Sequence, residues 1–157
     1  MIHKLALVGF GTVGRGLVEI LLDKRQQLED EHGFQPLVVA VADLFHGSCY
    51  DPAGLDLGQL LDIVAAGGSL DDYPGAQTGW DSLETIRASG ADAVVEVTVT
   101  DLETGEPAIS HCRAAFEAGA HLVTSNKGPV ALKWRELASE ADARGVQLRF
   151  EGTVMSG

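Results

Sequence analysis

The sequence predicts an α/β fold, a doubly wound parallel sheet with helices on both faces. Apolar runs of strand length alternate along the chain with segments of helical periodicity, which is typical of that architecture. The run from residue 36 to 42 is almost wholly apolar, as expected of a strand buried on both faces. A glycine-rich turn, Gly9-Phe10-Gly11-Thr12-Val13-Gly14, joins the first apolar run to the first helical pattern. Sheets of this kind bind ligands at the carboxyl ends of their strands.

The glycine-rich turn predicts dinucleotide binding, because G-x-G-x-x-G stands here between a strand and a helix. Gly9 permits the tight turn off the strand, and Gly11 has no Cβ to keep the backbone away from a pyrophosphate. Gly14 allows the helix to pack closely on the strand. Free N–H groups at the start of the helix attract phosphate oxygens. The alternative is a plain strand-turn-helix unit whose glycines are only structural.

The second strand supports dinucleotide binding, because it ends in Asp43. An acidic residue at this position accepts hydrogen bonds from the ribose hydroxyls of the adenosine half. Its charge would repel a 2′-phosphate, and no Arg or Lys follows it directly. The sequence therefore favours NAD over NADP. The spacing from Gly14 to Asp43 is longer than usual, which we attribute to an extended first helix and a polar loop.

The other elements follow from the same two periodicities. Strands are predicted at residues 3–8, 37–42, 93–98, 121–124 and 146–150, and helices at 13–29, 57–66, 82–89, 107–118 and from 129 to just before 145. Ser82 is the predicted N-cap of its helix. Residues 43–80 form a polar, glycine-rich region, in which Cys49 is expected to lie in an exposed loop. Cys112 shares helical spacing with apolar residues and is predicted to lie in the core.

Composition excludes several classes of protein. The chain has 157 residues, enough for one well-buried domain, and 11 basic against 23 acidic residues, a formal net charge of −12. That charge disfavours nucleic acids and anionic membranes as partners. No apolar run is long enough to span a membrane, and no signal peptide is recognisable, so we expect a cytoplasmic protein. The two cysteines and five histidines form no metal-ligand spacing and no hydrolase pattern.

Four polar residues are candidates for chemistry because they lie at or near predicted strand ends. Lys127 follows a buried strand, where its cation would face a phosphate, a ribose or a substrate carboxylate; alternatively, it is a solvated lysine paired with a carboxylate. Thr98 and Thr100 are placed to bind the nicotinamide half of the cofactor, or they are β-branched residues that finish a strand. Glu96, inside an apolar strand, is interpreted as structural and needs an Arg or backbone donors as partners.

Three segments resemble homoserine dehydrogenases more specifically than the glycine turn does. They are residues 98–107 (TVTDLETGEP), 123–129 (VTSNKGP) and 149–157 (RFEGTVMSG), and with the glycine turn they cover nearly the whole chain. The resemblance implies reversible, NAD(P)-dependent interconversion of L-homoserine and L-aspartate 4-semialdehyde. It also implies that residues 1–157 are the NAD(P)-binding Rossmann domain and that a substrate and dimerisation domain, which makes the complete enzyme a homodimer, would follow.

The resemblance assigns roles to individual residues. Phe10, Gly11, Thr12 and Val13 would meet the pyrophosphate, Thr98 would lie near the nicotinamide, and Lys127 would lie beside cofactor and substrate. Ser125, where the family often has alanine, belongs to the same cofactor-binding loop. The backbone carbonyls of Glu151, Val154 and Ser156 would help to bind a sodium ion. Val99 and Asp101 stand where the family often has proline and asparagine, but neither departure removes a proposed functional group.

Two other functions remain open at this stage. One is a different two-domain NAD(P) oxidoreductase that acts on a small amino acid or sugar, against which the segments 123–129 and 149–157 argue. The other is a nucleotide-sensing regulatory module, which would need neither Lys127 nor the cation loop.

Overall fold

A computed structural model describes residues 1–153 and contains one seven-stranded, mostly parallel sheet. Its strands are β1 (Ile2–Val8), β2 (Gln35–Asp43), β3 (Gly47–Tyr50), β4 (Gln77–Thr78), β5 (Ala93–Glu96), β6 (His121–Thr124) and β7 (Leu148–Arg149). Their order across the sheet is β4-β3-β2-β1-β5-β6-β7. The pairs from β2 through β1, β5 and β6 to β7 are parallel, whereas β3 and β4 pair antiparallel. The predicted doubly wound fold is confirmed.

Helices cover both faces of the sheet. They are α1 (Thr12–Asp23), α2 (Arg25–His32), α3 (Leu57–Ala65), α4 (Ser82–Ala88), α5 (Ala108–Glu117) and α6 (Lys127–Ala143), with short 3-10 turns at Leu70–Asp72 and Glu151–Thr153. Side chains alternate along β1, so that Leu5 and Leu7 pack with α1 and α3, whereas Ala6 and Val8 pack with α4, α5 and α6. The core therefore has two halves, one on each face. No helix of the described residues is long and apolar enough to cross a membrane.

The region from residue 43 to 80 is more ordered than predicted. Its strands β3 and β4 extend the sheet, and Cys49 on β3 is only 2% exposed, so the expectation of an exposed Cys49 is wrong. These strands are too short, at four and two residues, to show a period of two in the sequence. Their order comes from pairing with β2, where Cys49 lies opposite Val41.

Several predicted boundaries are corrected. The first helix does not run from 13 to 29, because Lys24 leaves helical geometry at φ −101° and ψ 12° and separates α1 from α2. The N-cap of α4 is Asp81, whose carboxylate accepts the Glu84 N–H, and not Ser82. The strand predicted at 93–98 ends at Glu96, the helix predicted from 129 begins at Lys127, and the last strand spans only Leu148–Arg149.

The two thiols should be unreactive in the folded protein. Burial, with a smaller contribution from the Asp71 charge, raises the pKa of Cys49 to about 12, and burial raises the pKa of Cys112 as well. At pH 8 we expect no reaction with a disulfide reagent such as dithionitrobenzoate within minutes, and reaction of both thiols in guanidinium chloride. Rapid labelling of one thiol per native chain would contradict the buried position of Cys49.

Candidate functional site

The turns after β1, β2 and β5 meet around a cavity of about 490 Å³ at the carboxyl edge of the sheet. Its walls come from the glycine turn, the tip of β2, the segment before α4 and the loop after β5. The lining includes Gly9, Gly11, Asp43, Trp80, Thr98 and His111. Of the residues predicted for the site, Gly9, Gly11, Asp43 and Thr98 line this cavity, at the strand ends that the topology brings together. Thr100, Ser125 and Lys127 are not part of its lining.

The glycine turn has the geometry that dinucleotide binding needs. Gly9 has φ +102°, and a Cβ at this residue would lie 2.7 Å from the carbonyl carbon of Val97. A Cβ at Gly14 would collide with the carbonyl oxygen of Gly9. At Gly11 a Cβ would meet no atom within 4 Å, because this residue faces open space. The fold itself therefore requires glycine at residues 9 and 14. At residue 11 a side chain would interfere only with a bound ligand.

The first turn of α1 presents its amides beside Gly11. Gly11 is the N-cap and offers no side-chain acceptor to the amides of that turn, and Thr12 and Val13 are exposed. Uncapped N–H groups at a helix start, together with the helix dipole, form an anion site. Phe10 is different, since its side chain is fully buried and its N–H donates to Asp43 at 2.7 Å. Phe10 therefore shapes the turn, whereas Thr12 and Val13 after it are exposed beside Gly11.

Asp43 lies at the tip of β2, as predicted, but its carboxylate is already engaged. Oδ2 accepts the Phe10 N–H, and Oδ1 accepts the N–H groups of Phe45 and His46. The His46 Nδ1 atom lies 2.8 Å from Oδ1. Burial alone would raise the pKa of Asp43, but the hydrogen bonds from Phe10, Phe45 and His46 outweigh it and hold that pKa below its usual value. Asp43 therefore stays ionised at neutral pH and joins the glycine turn to the β2–β3 turn.

The loops after β5 and β6 are joined to each other by Asn126. Its side-chain Nδ2 donates to the carbonyl oxygens of Thr98 at 3.3 Å and Val99 at 3.1 Å. Its Oδ1 accepts the Gly128 N–H at 3.1 Å and so caps α6. The Thr98 hydroxyl donates to Glu96, and Thr100 is exposed. The sequence places Asn126 in the loop after β6 without a role of its own; an N-cap residue type just before a helix was the signal for one.

Lys127 is the first residue of α6 and is exposed. Within residues 1–153 its ammonium has no carboxylate partner, although the chain carries a net charge of −12. The helix dipole disfavours a cation at this end of a helix. The next two residues, Gly128 and Pro129, are buried and hold the backbone in place. Lys127 thus lies on a well-anchored backbone at the start of α6, next to the loop after β5, and its cation is unpaired among residues 1–153.

The residues expected around a sodium ion are described only in part. Glu151 is exposed and opens the 3-10 turn Glu151–Thr153, and Val154 and Ser156 lie outside the described residues. A Cβ at Gly152 would lie 3.4 Å from the Ser125 Cβ, so this turn abuts the loop after β6. Among the described residues, no group of three His, Cys, Asp or Glu side chains is arranged to hold a metal. The cation site stays a prediction.

Comparisons with known proteins agree with this geometry. Residues 9–151 match the family model described as "Homoserine dehydrogenase, NAD binding domain". The chain is 43% identical over 155 residues to an NAD(+)-dependent homoserine dehydrogenase of Pseudomonas canavaninivorans, covering 99% of this chain and 44% of that protein. It is 39% identical over 148 residues to a homoserine dehydrogenase of Methanocaldococcus jannaschii, covering 94% of this chain and 44% of the relative.

Solved structures show the same relationship. A hyperthermophilic archaeal homoserine dehydrogenase in complex with NADPH superposes with a TM-score of 0.83 at 26% identity, over 99% of this chain and 46% of the other. The homoserine dehydrogenase of Thermoplasma acidophilum gives a TM-score of 0.80 at 25% identity, over 98% and 44% of the two chains. The chain thus spans less than half the length of the relatives it matches.

Proposed function

The chain belongs to the homoserine dehydrogenase family, and from that premise we propose that it is the cofactor-binding domain of an enzyme that interconverts L-homoserine and L-aspartate 4-semialdehyde. The observation that carries the proposal is the Gly11 position. It opens to empty space beside the uncapped start of α1, where a pyrophosphate would lie. Residues 1–157 would form one dinucleotide-binding domain. The rest of a longer chain would supply the substrate site and the contacts of a homodimer, and a cytoplasmic location stays a prediction.

The position of Asp43 orients the dinucleotide along the edge of the sheet. With the pyrophosphate at Gly11 and the start of α1, the adenosine half extends over β2 toward Asp43. The nicotinamide half then extends the other way, over β5 and β6. It reaches the loops that contain Thr98 and Thr100 on one side and Ser125 and Lys127 on the other. The bound cofactor supplies the hydride acceptor or donor, and the protein positions it and balances charge.

Lys127 is the proposed catalytic residue of this chain. Its ammonium, which has no carboxylate partner in the described part of the chain, would stabilise negative charge on the substrate beside the nicotinamide ring. We propose the backbone carbonyls of Glu151, Val154 and Ser156 as ligands of a sodium ion. The support for it is the packing of the Glu151–Thr153 turn against Ser125.

Calorimetric titration of the chain with NADH and NADPH tests cofactor binding directly. We expect saturable binding of at least one of them, and tighter binding of NADH. A homoserine oxidation assay of the intact enzyme, with other small alcohols for comparison, tests the substrate. If folded protein gives no heat with either cofactor, the proposal fails. Cofactor binding without turnover of homoserine would instead favour a nucleotide-sensing module or a different oxidoreductase.

Replacing Asp43 by asparagine should narrow the preference for NADH over NADPH. The carboxylate charge, which would oppose a 2′-phosphate, is removed, and one oxygen acceptor for the neighbouring N–H groups remains. We expect the ratio of the two dissociation constants to fall about tenfold, which corresponds to roughly 1.4 kcal/mol. The measurement is paired titration of wild type and variant with both nucleotides.

Asp92→Asn is the matched control for Asp43→Asn. Asp92 Oδ2 accepts the Lys4 N–H at 2.7 Å, the same distance as between Asp43 Oδ2 and the Phe10 N–H, but at the opposite edge of the sheet. Asp92→Asn should lower stability slightly and leave the ratio of the dissociation constants for NADH and NADPH unchanged. An unchanged ratio in Asp43→Asn would show that Asp43 does not discriminate between the cofactors.

A further inference from the structure

Glu96 is fully buried at the end of β5, where its carboxylate faces the two loops assigned to the nicotinamide half. No other Asp or Glu is buried among the described residues. Burying a charged carboxylate is costly unless hydrogen bonds compensate it. The sequence predicted Arg or backbone donors as its partners. The structure supplies one backbone N–H and two threonine hydroxyls instead of an arginine.

The first partner of Glu96 is Thr98 in the loop after β5. Both the N–H of Thr98, at 3.2 Å, and its hydroxyl donate to Oε1. Since the hydroxyl proton is used in this way, the side chain of Thr98 holds the loop in place. The loop leaves the sheet directly after Glu96, and this double contact sets the direction in which it leaves.

The second partner of Glu96 is Thr124 at the end of β6. The Thr124 hydroxyl donates to Oε2 at 2.8 Å and accepts the Asn126 N–H at 2.9 Å. Asn126 in turn donates from Nδ2 to the Thr98 carbonyl oxygen. Glu96, Thr98, Thr124 and Asn126 therefore form a closed hydrogen-bonded ring that joins the two loops.

The carboxylate of Glu96 faces two titratable groups of α5 among the described residues, His111 and Cys112; burial raises the pKa of Cys112, and the charge of Glu96 adds to that effect. His111 is 1% exposed; its Nδ1 lies 3.5 Å from Glu96 Oε1 and makes no hydrogen bond, and its Nε2 lies 2.8 Å from the Ser82 hydroxyl. His111 therefore lies between the ring and α4 and lines the cavity, and its hydrogen bond is to Ser82, not to the ring. Glu96, Thr124 and Asn126 are buried, and Thr98 is half-buried at the cavity wall, so the hydrogen bonds of the ring form largely away from water.

We propose that Glu96 is a positioning residue for the nicotinamide half of the cofactor. A carboxylate can accept several hydrogen bonds at once, so this one side chain holds the loop after β5 and, through Thr124, the start of α6. Lys127 directly follows the ring residue Asn126, so the ring sets the distance between the Lys127 backbone and the loop that contains Thr98. The inference rests on the proposed function. It explains why a carboxylate is buried at this position, where an apolar side chain would be enough to fill the core.

The test compares two ligands that differ only at the nicotinamide end. NADH covers the whole site, whereas ADP carries the adenosine and both phosphates but neither the nicotinamide nor its ribose. For Glu96→Gln and Thr124→Val we expect NADH binding to weaken about tenfold or more, as for a lost hydrogen bond to a charged group. ADP binding should stay within about twofold of wild type, since the glycine turn and Asp43 are untouched. The fluorescence of bound NADH should shift toward that of the free cofactor.

Two further variants separate positioning from general loss of stability. Thr124→Ser retains the hydroxyl and should restore NADH binding. Thr85→Val is the matched control, because Thr85 is 1% exposed and its hydroxyl has no hydrogen-bond partner among residues 1–153. Thr85→Val should change neither the affinity for NADH nor the affinity for ADP.

Three results would overturn the proposal: equal weakening of NADH and ADP, unchanged NADH binding, or failure of both Glu96→Gln and Thr124→Val to fold. If both variants failed to fold, the hydrogen-bonded ring would be needed for folding and would have no separate role in positioning the cofactor. If wild type binds neither ligand, the proposed function fails instead.

Discussion

Gly11→Ala should leave the folded protein intact while it removes dinucleotide binding. The backbone at Gly11 is extended, with φ −75° and ψ −153°, so it does not require the positive φ that favours glycine, and an added Cβ meets no atom of residues 1–153 within 4 Å. The methyl group would instead occupy the space through which a pyrophosphate approaches the amides of α1. We expect the affinity for NADH to fall by about two orders of magnitude or more, in line with roughly 3 kcal/mol for blocked charge-assisted hydrogen bonds. Calorimetry and a thermal melt on the same sample measure both quantities.

Three other glycines provide controls for Gly11→Ala. Gly16 also has open space around it, but it lies inside α1, so Gly16→Ala should raise stability by about 0.5–1 kcal/mol and leave binding unchanged. Gly9→Ala and Gly14→Ala should destabilise the fold itself, because the new Cβ would press on the backbone of Val97 or on the Gly9 carbonyl oxygen. Normal NADH affinity in Gly11→Ala would place the pyrophosphate elsewhere.

The parts of the fold that the sequence predicts are those with strong local signals. The strand, glycine turn and first helix depend on contiguous residues, and their predicted geometry is confirmed at Gly9 and Gly14. The strand β3 could not be predicted in this way. Four residues that begin with Gly47 have no periodicity of their own, and only the pairing with β2 makes them a strand and buries Cys49. Long-range pairing overrides the local composition there.

In the candidate site, too, the sequence predicts some features and not others. The positions of Asp43 and Lys127 follow from the topology, because Asp43 ends β2 and Lys127 begins α6. What their side chains contact depends on neighbours that are distant in sequence. Asp43 receives the N–H of Phe10, 33 residues away, and Thr124 reaches Glu96 across 28 residues. Local sequence patterns do not predict contacts between residues so far apart. The hydrogen bonds to Asp43 and the ring around Glu96 are therefore seen only in the structure.

Lys127→Ala should impair catalysis and leave stability unchanged or slightly higher. The lysine stands at the N-terminal end of α6, where the helix dipole disfavours a cation by about 0.3–1 kcal/mol, and no carboxylate among residues 1–153 compensates it. In the intact enzyme we expect turnover of homoserine to fall about 10²–10³-fold, the usual effect of removing one electrostatic contact to developing charge. The melting temperature should stay the same or rise by roughly 1–4 °C.

Lys133→Ala is the control, at the kink inside α6 where Lys133 has the non-helical angles φ −137° and ψ 19°. The Lys133 ammonium lies 2.9 Å from Glu136 on the surface, and such pairs contribute about 0–1 kcal/mol. Its loss should leave turnover unchanged and lower stability slightly, the opposite pattern to Lys127→Ala. If Lys127 destabilises the fold and its removal lowers turnover, its role is catalytic and not structural. If Lys127→Ala and Lys133→Ala had equal turnover, Lys127 would be a solvated surface residue and the negative charge on the substrate would have to be stabilised elsewhere in the enzyme.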